Sequence, residues 1–465
     1  MKRILYFVLL ASLALFVVAC EQQEVEPETI EVIKEVEVTK LVEVEKEVEK
    51  EVVVTKEVIV EVPQELVTLR ILYHAASPGV DEPVLSELID QFELDNPDID
   101  VIVDYVGREV LDQSLPLQLE SGEGPDMARL LIPSGFAFRE FFLDLRPYVA
   151  DSAYWDENLG VPNKFFSGGT DALYGYNIDT TITGPYINRT LWEQAGVPVP
   201  SDSSDQVTWE EWAEAATQVK EAVGIPHALV MDPSGHRFAG PAISKGANYF
   251  DDEGYPALVG DEGFKDMLTL LVDWHETGVM PLDIWSGAEG QSLDAAGEFI
   301  NGNSPFYMSG SWQVSRFEQE IGDAFDWEVV PNPCGDGGCT GMPGGGFMVA
   351  FAHTEHPEEV ARLMDFLVSV EAYGEWAGRT LLIPQHAGLA EIGVEFQTTT
   401  ENGAEALNVW LASEVSPVAQ NLVSSPYGGT IFGKTKPRIV QAVAGELTID
   451  EAIERMQQDI EDAHQ

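Results

Sequence analysis

The stretch of sequence that decides the fold runs from residue 66 to residue 106. It opens with "LVTLRILYH" (66–74), continues with "EPVLSELIDQFELDNP" (82–97) and closes with "DIDVIVDYV" (98–106). The first and last segments are short apolar runs typical of buried strands, whereas the middle segment has apolar residues at helical spacing and ends before Pro97. A strand, a helix and a second strand in this order predict a parallel sheet and an α/β fold.

The remainder of the chain carries further helical patterns. "TWEEWAEAATQVKEAVG" (208–224) begins with Thr208 as the predicted N-cap and has Glu211 at the capping-box position. "HPEEVARLMDFLVSVEAYGEWAG" (356–378) and "TIDEAIERMQQDIEDAHQ" (448–465) are predicted helices as well. Because no Pro/Gly-rich linker interrupts these elements, any separate lobes must be joined by short internal crossings.

The length and charge of the chain limit its size class and its partners. The chain has 465 residues, which is enough for two or three ordinary domains. Its 80 acidic and 25 basic residues give a formal net charge of −55. A surface of this charge repels nucleic acid and anionic lipid, so that neutral or cationic small ligands are the easier partners. The charge also serves ordinary solubility.

The first twenty residues have the layout of an export signal. A basic start, Met1-Lys2-Arg3, is followed by an apolar run that is too short for a comfortable membrane span, and then by Cys20. A Cys directly after a small residue resembles the lipobox of bacterial lipoproteins. The resemblance implies a signal peptide over residues 1–19, a lipid on Cys20 and a location at the outer face of the cell membrane. An ordinary signal peptide with an accidental Cys is the alternative.

Two further cysteines lie close together in "PCGDGGC" (333–339). In an oxidising compartment, Cys334 and Cys339 can close a small disulfide loop across the glycine-rich turn. Zinc is the alternative, but a structural zinc site needs about four ligands and the sequence has no second Cys pair. We therefore favour the disulfide and expect no metal site.

Within residues 20–65, the sequence from 32 to 62 alternates with a period of two. Every even position from 32 to 62 is Val or Lys, and most odd positions are Glu. The alternation is typical of a strand, but a strand of some thirty residues far exceeds the usual length. We interpret the segment as a low-complexity tether that, fully extended, reaches on the order of 150 Å. A self-associating β or coiled stalk is the alternative.

Five segments in order resemble one known family. They are "LIDQFELDNPDIDVIVDYV" (88–106), "LESGEGPDMARL" (119–130), "YGYNIDTTITGPYINRTLWEQAGVPVP" (174–200), "FINGNSPFYMSGSWQVSRF" (299–317) and "GGGFMVAFAHTEHPEEVARLMDFLVS" (344–369). Together they resemble the bacterial extracellular solute-binding proteins of ABC importers, in the maltose-binding-protein-like branch. The third segment, with the "TWEEWAEAA" helix after it, is the strongest match.

The resemblance implies a two-lobed periplasmic-binding-protein-like fold, with a hinge and a ligand cleft between the lobes. Because the chain crosses more than once, both lobes are discontinuous. We expect lobe one over residues 66–178 and 328–352, and lobe two over residues 179–327 and 353–465. We expect a monomer.

The implied function is that of a lipid-anchored receptor. It would bind a carbohydrate, expected to be an oligosaccharide, and deliver it to an ABC transporter permease without chemistry or a cofactor. A polyol or a peptide is an alternative ligand, since one scaffold serves many specificities. The alternatives from other classes are an exported glycosidase that uses paired carboxylates and a surface adhesin.

Sugar binding calls for an aromatic ring beside hydrogen-bonding groups. Trp312 in "SGSW" matches a family position that commonly stacks on sugar, and Trp285 in "DIWSGAEG" is a second candidate. A core position is the alternative for both. The other candidate ligand-binding residues lie at a strand end, in turns or in glycine-led segments: Tyr73, His74, Asp126, Asp232, Arg237, Gly345 and Gly346.

One motif matches a nucleotide-binding pattern in sequence. "GGTIFGKT" (428–435) matches the phosphate-binding pattern G-x-x-x-x-G-K-[ST] in full. The motif works only between a buried strand and a helix, but the preceding "SSP" is poor strand material and Pro437 follows closely. We therefore predict that it does not bind nucleotide.

Overall fold

A computed structural model of the chain describes residues 29–40, 52–63, 66–131, 140–167, 170–286 and 293–464. The predicted signal peptide and Cys20 lie outside these residues. The chain divides into two compact units, one up to Val67 and one from Thr68 onward.

The first unit contains an antiparallel hairpin. Strand β1, Thr29–Lys40, pairs with β2, Val52–Pro63, over their full lengths of 12 residues each. Each strand satisfies the backbone hydrogen-bonding groups of the other. A strand of this length spans about 40 Å. The role of residues 20–65 as a spacer stays a prediction.

The second unit is an α/β body. Its strands are β3 Val67–Tyr73, β4 Ile99–Tyr105, β5 Met127–Leu131, β6 Gly175–Asn188, β7 Leu229–Met231, β8 Phe306–Gly310, β9 Trp327–Val329, β10 Cys334–Gly335, β11 Gly338–Cys339 and β12 Pro343–Ala350.

Helices surround these strands. They are α1 Asp81–Asp95, α2 Arg108–Gln113, α3 Leu115–Ser121, α4 Ser152–Phe166, α5 Arg189–Ala195, α6 Trp209–Val223, α7 Gly235–Ser244, α8 Glu262–Glu276, α9 Leu282–Ser286, α10 Ala295–Ile300, α11 Val314–Glu320, α12 Pro357–Leu367, α13 Val370–Thr380, α14 Ala387–Ile392, α15 Glu401–Ala412, α16 Pro417–Ser424, α17 Gly428–Val443 and α18 Ile449–Asp462. The predicted capping box at the start of α6 is present, since the hydroxyl of Thr208 accepts the N–H of Glu211.

A single sheet runs through the second unit in the order β4-β3-β5-β12-β6-β8-β7, and β9 also pairs with β6. The long strand β6 is shared by the two parts of this sheet. Its first part, up to Ile182, pairs with β12, and its second part, from Thr183, pairs with β8. β6 therefore joins a first half, built on β3 to β5 and β12, to a second half, built on β7 to β9. This is the predicted crossing.

The structure corrects the predicted lobe boundaries. We placed residues 353–392 in lobe two, but α12 to α14 pack on the first half: the rings of Phe92 and Phe366 lie 5.7 Å apart, and Arg362 pairs with Asp98 at 2.7 Å. An amphipathic pattern predicts such a helix but does not say which sheet face it covers.

The other boundary moves as well. We placed residues 328–339 in lobe one, yet Glu328 and Val329 of β9 pair with β6 in the second half. The β10–β11 hairpin also lies there, where Gly337 N–H donates to Ser244 O at the end of α7 (2.8 Å). The predicted disulfide between Cys334 and Cys339 closes this hairpin and is confirmed.

Candidate functional site

Trp312 lies at the junction of the two halves. It follows β8 in a short 3₁₀ turn, Ser311–Gln313, and its side chain is partly exposed. The Ser77 hydroxyl, from the turn before α1 in the first half, donates to the Trp312 carbonyl at 2.8 Å. The Ser311 hydroxyl accepts the N–H of Ile182 on β6 at 3.2 Å. The turn that carries Trp312 is therefore bonded both to the opposite half and to the crossing strand.

Gly310 makes room for the indole. Its backbone is extended, with φ 174° and ψ −178°, so the conformation does not itself require glycine. A Cβ at this position would lie 2.1 Å from Cζ3 of Trp312 and 2.6 Å from Ile182 O. The absence of a side chain at Gly310 therefore lets the ring lie against the end of β8.

Two further predicted residues meet Trp312. The guanidinium carbon of Arg237 lies 4.5 Å from the centre of the Trp312 ring, within the range of a cation–π interaction. Its Nε forms an ion pair with Asp232 Oδ2 at 3.0 Å. The structure thus brings Trp312 together with Arg237 and Asp232, which are neighbours of each other in the sequence but lie far from Trp312. Their contact with a ligand stays a prediction.

Tyr73 and His74 end β3 in the first half. Tyr73 is buried, and its hydroxyl lies 3.5 Å from Asp81 Oδ2. Burial raises the pKa of Tyr73 well above its ordinary value, so the phenol stays neutral. His74 is partly exposed, and its Nδ1 lies 3.2 Å from Val106 O. Of the two predicted contacts, only His74 has an exposed side-chain surface; Tyr73 packs inside the half.

A buried ion pair lies next to His74 at the end of β3. Arg129 of β5 pairs with Asp179 of β6 at 2.5 Å, with 1% and 0% of their side chains exposed. The second Nη of Arg129 donates to the His74 carbonyl at 2.7 Å. The pair therefore links the strand end at His74 to the crossing strand. The sequence analysis did not single out either residue.

Gly345 and Gly346 leave room for this ion pair and for the neighbouring backbone. A Cβ at Gly346 would lie 2.4 Å from the guanidinium carbon of Arg129. Gly345 has φ +134°, and a Cβ there would lie 2.1 Å from Asp179 O. The two glycines are among the candidate ligand-binding residues. The space beside them is filled instead by the Arg129 side chain, which crosses β12 to reach Asp179, and by the backbone of β6.

Two other predicted residues lie elsewhere. Asp126 comes before β5, at the opposite end of that strand from the site, and its carboxylate accepts Arg70 N–H (2.8 Å) and the Thr354 hydroxyl (2.5 Å). Trp285 is only 2% exposed and belongs to the core of the second half. Asp126 is therefore engaged by groups of the protein, and Trp285 occupies the core position given above as its alternative.

The family-profile comparison agrees with this architecture. The profile described as bacterial extracellular solute-binding protein matches residues 87–404, which is more than half of the chain. The chain belongs to this family. One curated relative of this solute-binding protein is an arabinooligosaccharide-binding protein of Halalkalibacterium halodurans, 25% identical over 278 residues. The matched region spans 58% of this chain and 59% of that relative.

Solved structures of solute-binding proteins share the fold. The Listeria monocytogenes protein Lmo0181, in complex with cycloalternan, has a TM-score of 0.72 at 18% identity and covers 86% of this chain and 99% of its own. The GacH receptor of Streptomyces glaucescens scores 0.69 at 17% identity, covering 85% and 97%. T. maritima MalE3, with bound maltose, scores 0.69 at 19% identity, covering 85% and 100%. The two-lobed fold is therefore established, and the relatives named here are binding proteins, not enzymes.

Three cavities lined by described residues of this solute-binding protein lie away from Trp312. One of about 850 Å³ lies beside β4 and α3, one of about 870 Å³ lies beside His386, and one of about 420 Å³ lies beside Tyr255. Trp312, Arg237 and Asp232 line none of the three. The candidate site is therefore defined by its side chains at the junction, not by these cavities.

Asp81 at the start of α1 was not singled out from the sequence. Its carboxylate accepts the N–H groups of Ala76 (2.6 Å) and Ser77 (2.8 Å), and it thereby fixes the turn that reaches Trp312. Burial is the largest influence on this group and raises the pKa of Asp81 from 3.8 to about 6, although Arg129 and the two N–H groups oppose the shift.

The raised pKa of Asp81 predicts a pH effect. Because the folded pKa exceeds the unfolded value, the contribution of Asp81 to stability is fully present below pH 3.8 and is lost as the pH rises through about 6. Relative to Asp81→Asn, the wild type should therefore lose up to about 3 kcal/mol between pH 4 and pH 7. Urea unfolding at several pH values measures this difference. Asp90→Asn, an exposed change on the same helix, is the control. The prediction would be contradicted if the difference in unfolding free energy between the wild type and Asp81→Asn were as independent of pH as the difference between the wild type and Asp90→Asn.

The nucleotide-like motif lies within a helix. Residues 428–435 belong to the first turns of α17 and do not form a loop between a strand and a helix. The backbone N–H groups that would hold phosphate therefore lie largely in the helix, which agrees with our dismissal of the motif. Among the described residues, no group of acidic, His or Cys side chains is arranged to hold a metal ion, and no helix is both long and apolar enough to span a membrane.

Lys434 provides the test of this dismissal. Its side chain is exposed on α17. Lys434→Ala should leave the melting temperature and the affinity for every bound saccharide unchanged, and neither protein should bind ATP in calorimetric titration. A large loss of saccharide affinity, or ATP binding that Lys434→Ala removes, would restore the nucleotide interpretation.

Proposed function

We propose that this solute-binding protein is an extracytoplasmic receptor that binds an uncharged carbohydrate and delivers it to an ABC permease. One observation carries the binding part of the proposal: the partly exposed indole of Trp312 lies where the two halves meet, beside the Arg237–Asp232 pair. Sugars present an apolar C–H face and a rim of hydroxyls, which suit an aromatic ring next to hydrogen-bonding groups.

Charge supports an uncharged ligand. The acidic residues give the chain a net charge of −55, which repels anions at long range. At the junction, Arg237 is paired with Asp232. In the buried part of the sheet, Arg129 of β5 is paired with Asp179 of β6. Both cations are therefore neutralised by the protein itself, and hydroxyl groups are the partners that this arrangement suits.

The relatives support the carbohydrate class. The curated relative is named for arabinooligosaccharide, and the solved structures with the same fold include complexes with cycloalternan, maltose and acarbose. Their ligands differ from one another in linkage and ring closure. They therefore favour an oligosaccharide as the class of ligand without selecting one.

The binding proposal is tested with the full chain. Thermal unfolding is recorded with arabinotriose, maltotriose, mannotriose, mannitol and tagatose, and the solutions are then analysed for products by chromatography. We expect one or more saccharides to raise the melting temperature without being consumed. Hydrolysis of the stabilising saccharide would favour a glycosidase instead, and no effect from any of them would favour the adhesin alternative.

The location proposal has its own test. We propose that the chain is held at the outer face of the membrane by a lipid on Cys20, which would keep the receptor close to its permease. Cys20→Ala should move the protein from the membrane fraction to the soluble fraction, and mass spectrometry should find the lipid on the N-terminal peptide of the wild type only. Retention of Cys20→Ala in the membrane fraction would overturn the proposal.

A further inference from the structure

Arg237 lies in an unusual position for a surface arginine. Its guanidinium stands over the Trp312 ring with 24% of its side chain exposed. The residue belongs to the first turn of α7, so its backbone is fixed by a helix and not by a free loop. A ligand that stacks beside Trp312 must therefore meet this guanidinium.

An ion pair, with hydrogen bonds behind its carboxylate, sets the orientation of the guanidinium. Arg237 Nε pairs with Asp232, and Asp232 accepts the hydroxyls of Tyr307 (2.8 Å) and Ser309 (2.7 Å). The amide of Gln313 donates to the Tyr307 hydroxyl at 2.8 Å. Tyr307, Ser309 and Gln313 are buried, so this support is rigid behind the exposed face.

The two Nη atoms of Arg237 form no hydrogen bond with any residue that the structure describes. A guanidinium that is ion-paired beside its Nε and stacked on a ring presents these donors side by side, which matches two neighbouring acceptor oxygens. We infer that Arg237 determines the specificity of the site by donating from both Nη atoms to two adjacent hydroxyl oxygens of the sugar unit beside Trp312. This inference rests on the proposed carbohydrate function.

A carboxylate would offer the same pair of oxygens, but charge favours the diol. Asp232 already neutralises Arg237, and a second carboxylate would lie close to the first. The net charge of −55 also opposes the approach of an anion. The ligand class is therefore an uncharged saccharide with vicinal hydroxyls, and a uronate is the outcome against which it is tested.

The experiment uses calorimetric titration of the full chain with arabinotriose, maltotriose, mannotriose and trigalacturonate. Arg237→Lys keeps the charge but cannot donate in a fork, and Arg237→Ala removes both. Arg316→Lys is the matched control, because Arg316 is an ion-paired, partly exposed arginine of the same half that pairs with Asp294 and Glu320. Melting temperatures verify that every variant is folded.

Arg237→Lys should lose roughly tenfold to a hundredfold in affinity for the neutral trisaccharide that the wild type binds, the range for hydrogen bonds from a charged donor. Arg316→Lys should lose none. Wild-type affinity in Arg237→Lys and Arg237→Ala, or tighter binding of trigalacturonate than of the neutral trisaccharides, would overturn the inference. Failure of the wild type to bind any of the four probes would instead overturn the carbohydrate function, and the inference with it.

Discussion

Arg129→Met should destabilise the protein by about 3–5 kcal/mol, because the change leaves a buried carboxylate without its partner. The guanidinium of Arg129 and the carboxylate of Asp179 are almost fully buried and lie 2.5 Å apart. The substitution also leaves the His74 carbonyl without the N–H group that it accepts at 2.7 Å. Urea unfolding, with the free energy extrapolated to water, measures the loss.

Two companion variants separate the buried charge from the loss of an arginine as such. The double variant Arg129→Met/Asp179→Leu removes both charges and should recover much of the stability, since replacing a buried pair with apolar residues is often close to neutral. Arg146→Met breaks the exposed pair with Asp156 and should cost less than about 1 kcal/mol. If the double variant were at least as destabilised as Arg129→Met alone, the argument for a coupled pair would fail.

The α/β fold was predictable because its first elements are local. The strand, helix and strand of residues 66–106 appear in the structure as β3, α1 and β4. The Thr208 cap and the disulfide between Cys334 and Cys339 were predictable for the same reason, since each depends on residues only a few positions apart. The family resemblance then supplied the crossing strand, which no local pattern contains.

The Arg129–Asp179 pair was not predictable in this way. Arg129 stands in the apolar run "MARLL", and Asp179 lies 50 positions further along the chain. Only the order β5-β12-β6 brings them together. The glycines of β12 illustrate the same limit, because glycine indicates that something approaches the backbone closely but does not say what. At Gly346, the group that approaches the backbone is the Arg129 side chain and not a ligand.

The candidate site was predictable in part. Trp312 is predicted from one segment and the pair Arg237 and Asp232 from another, and the two meet in the structure. Trp285 is predicted only from its glycine-bearing stretch, without the family match that supports Trp312, and it lies in the core. Its apolar surface favours burial as much as stacking, and only tertiary packing decides between the two.

Trp312→Ala should reduce saccharide affinity by about thirtyfold or more, since a buried aromatic contact in an interface contributes at least about 2 kcal/mol. The same substitution should lower the free energy of unfolding by about 1 kcal/mol or less, because the Trp312 side chain is partly exposed and not part of the core. Trp285→Ala should show the reverse pattern. It opens a cavity in the core and should cost about 3–5 kcal/mol, with unchanged affinity for the fraction that is folded.

Gly310→Ala tests whether the position of the indole, and not only its presence, carries the affinity. The added Cβ would overlap Cζ3 of Trp312 at 2.1 Å and lie 2.6 Å from Ile182 O, so the ring must move, together with the adjoining backbone, although all atoms of the ring remain. We therefore expect a loss of affinity of roughly tenfold or more, as for other small displacements of a binding group. Gly433→Ala is the matched control, because a Cβ there meets nothing within 4 Å. Calorimetric titration and tryptophan fluorescence report the two effects. If Gly310→Ala bound as tightly as Gly433→Ala, ligand binding would not depend on the placement of Trp312, and the carbohydrate would have to bind elsewhere on the protein.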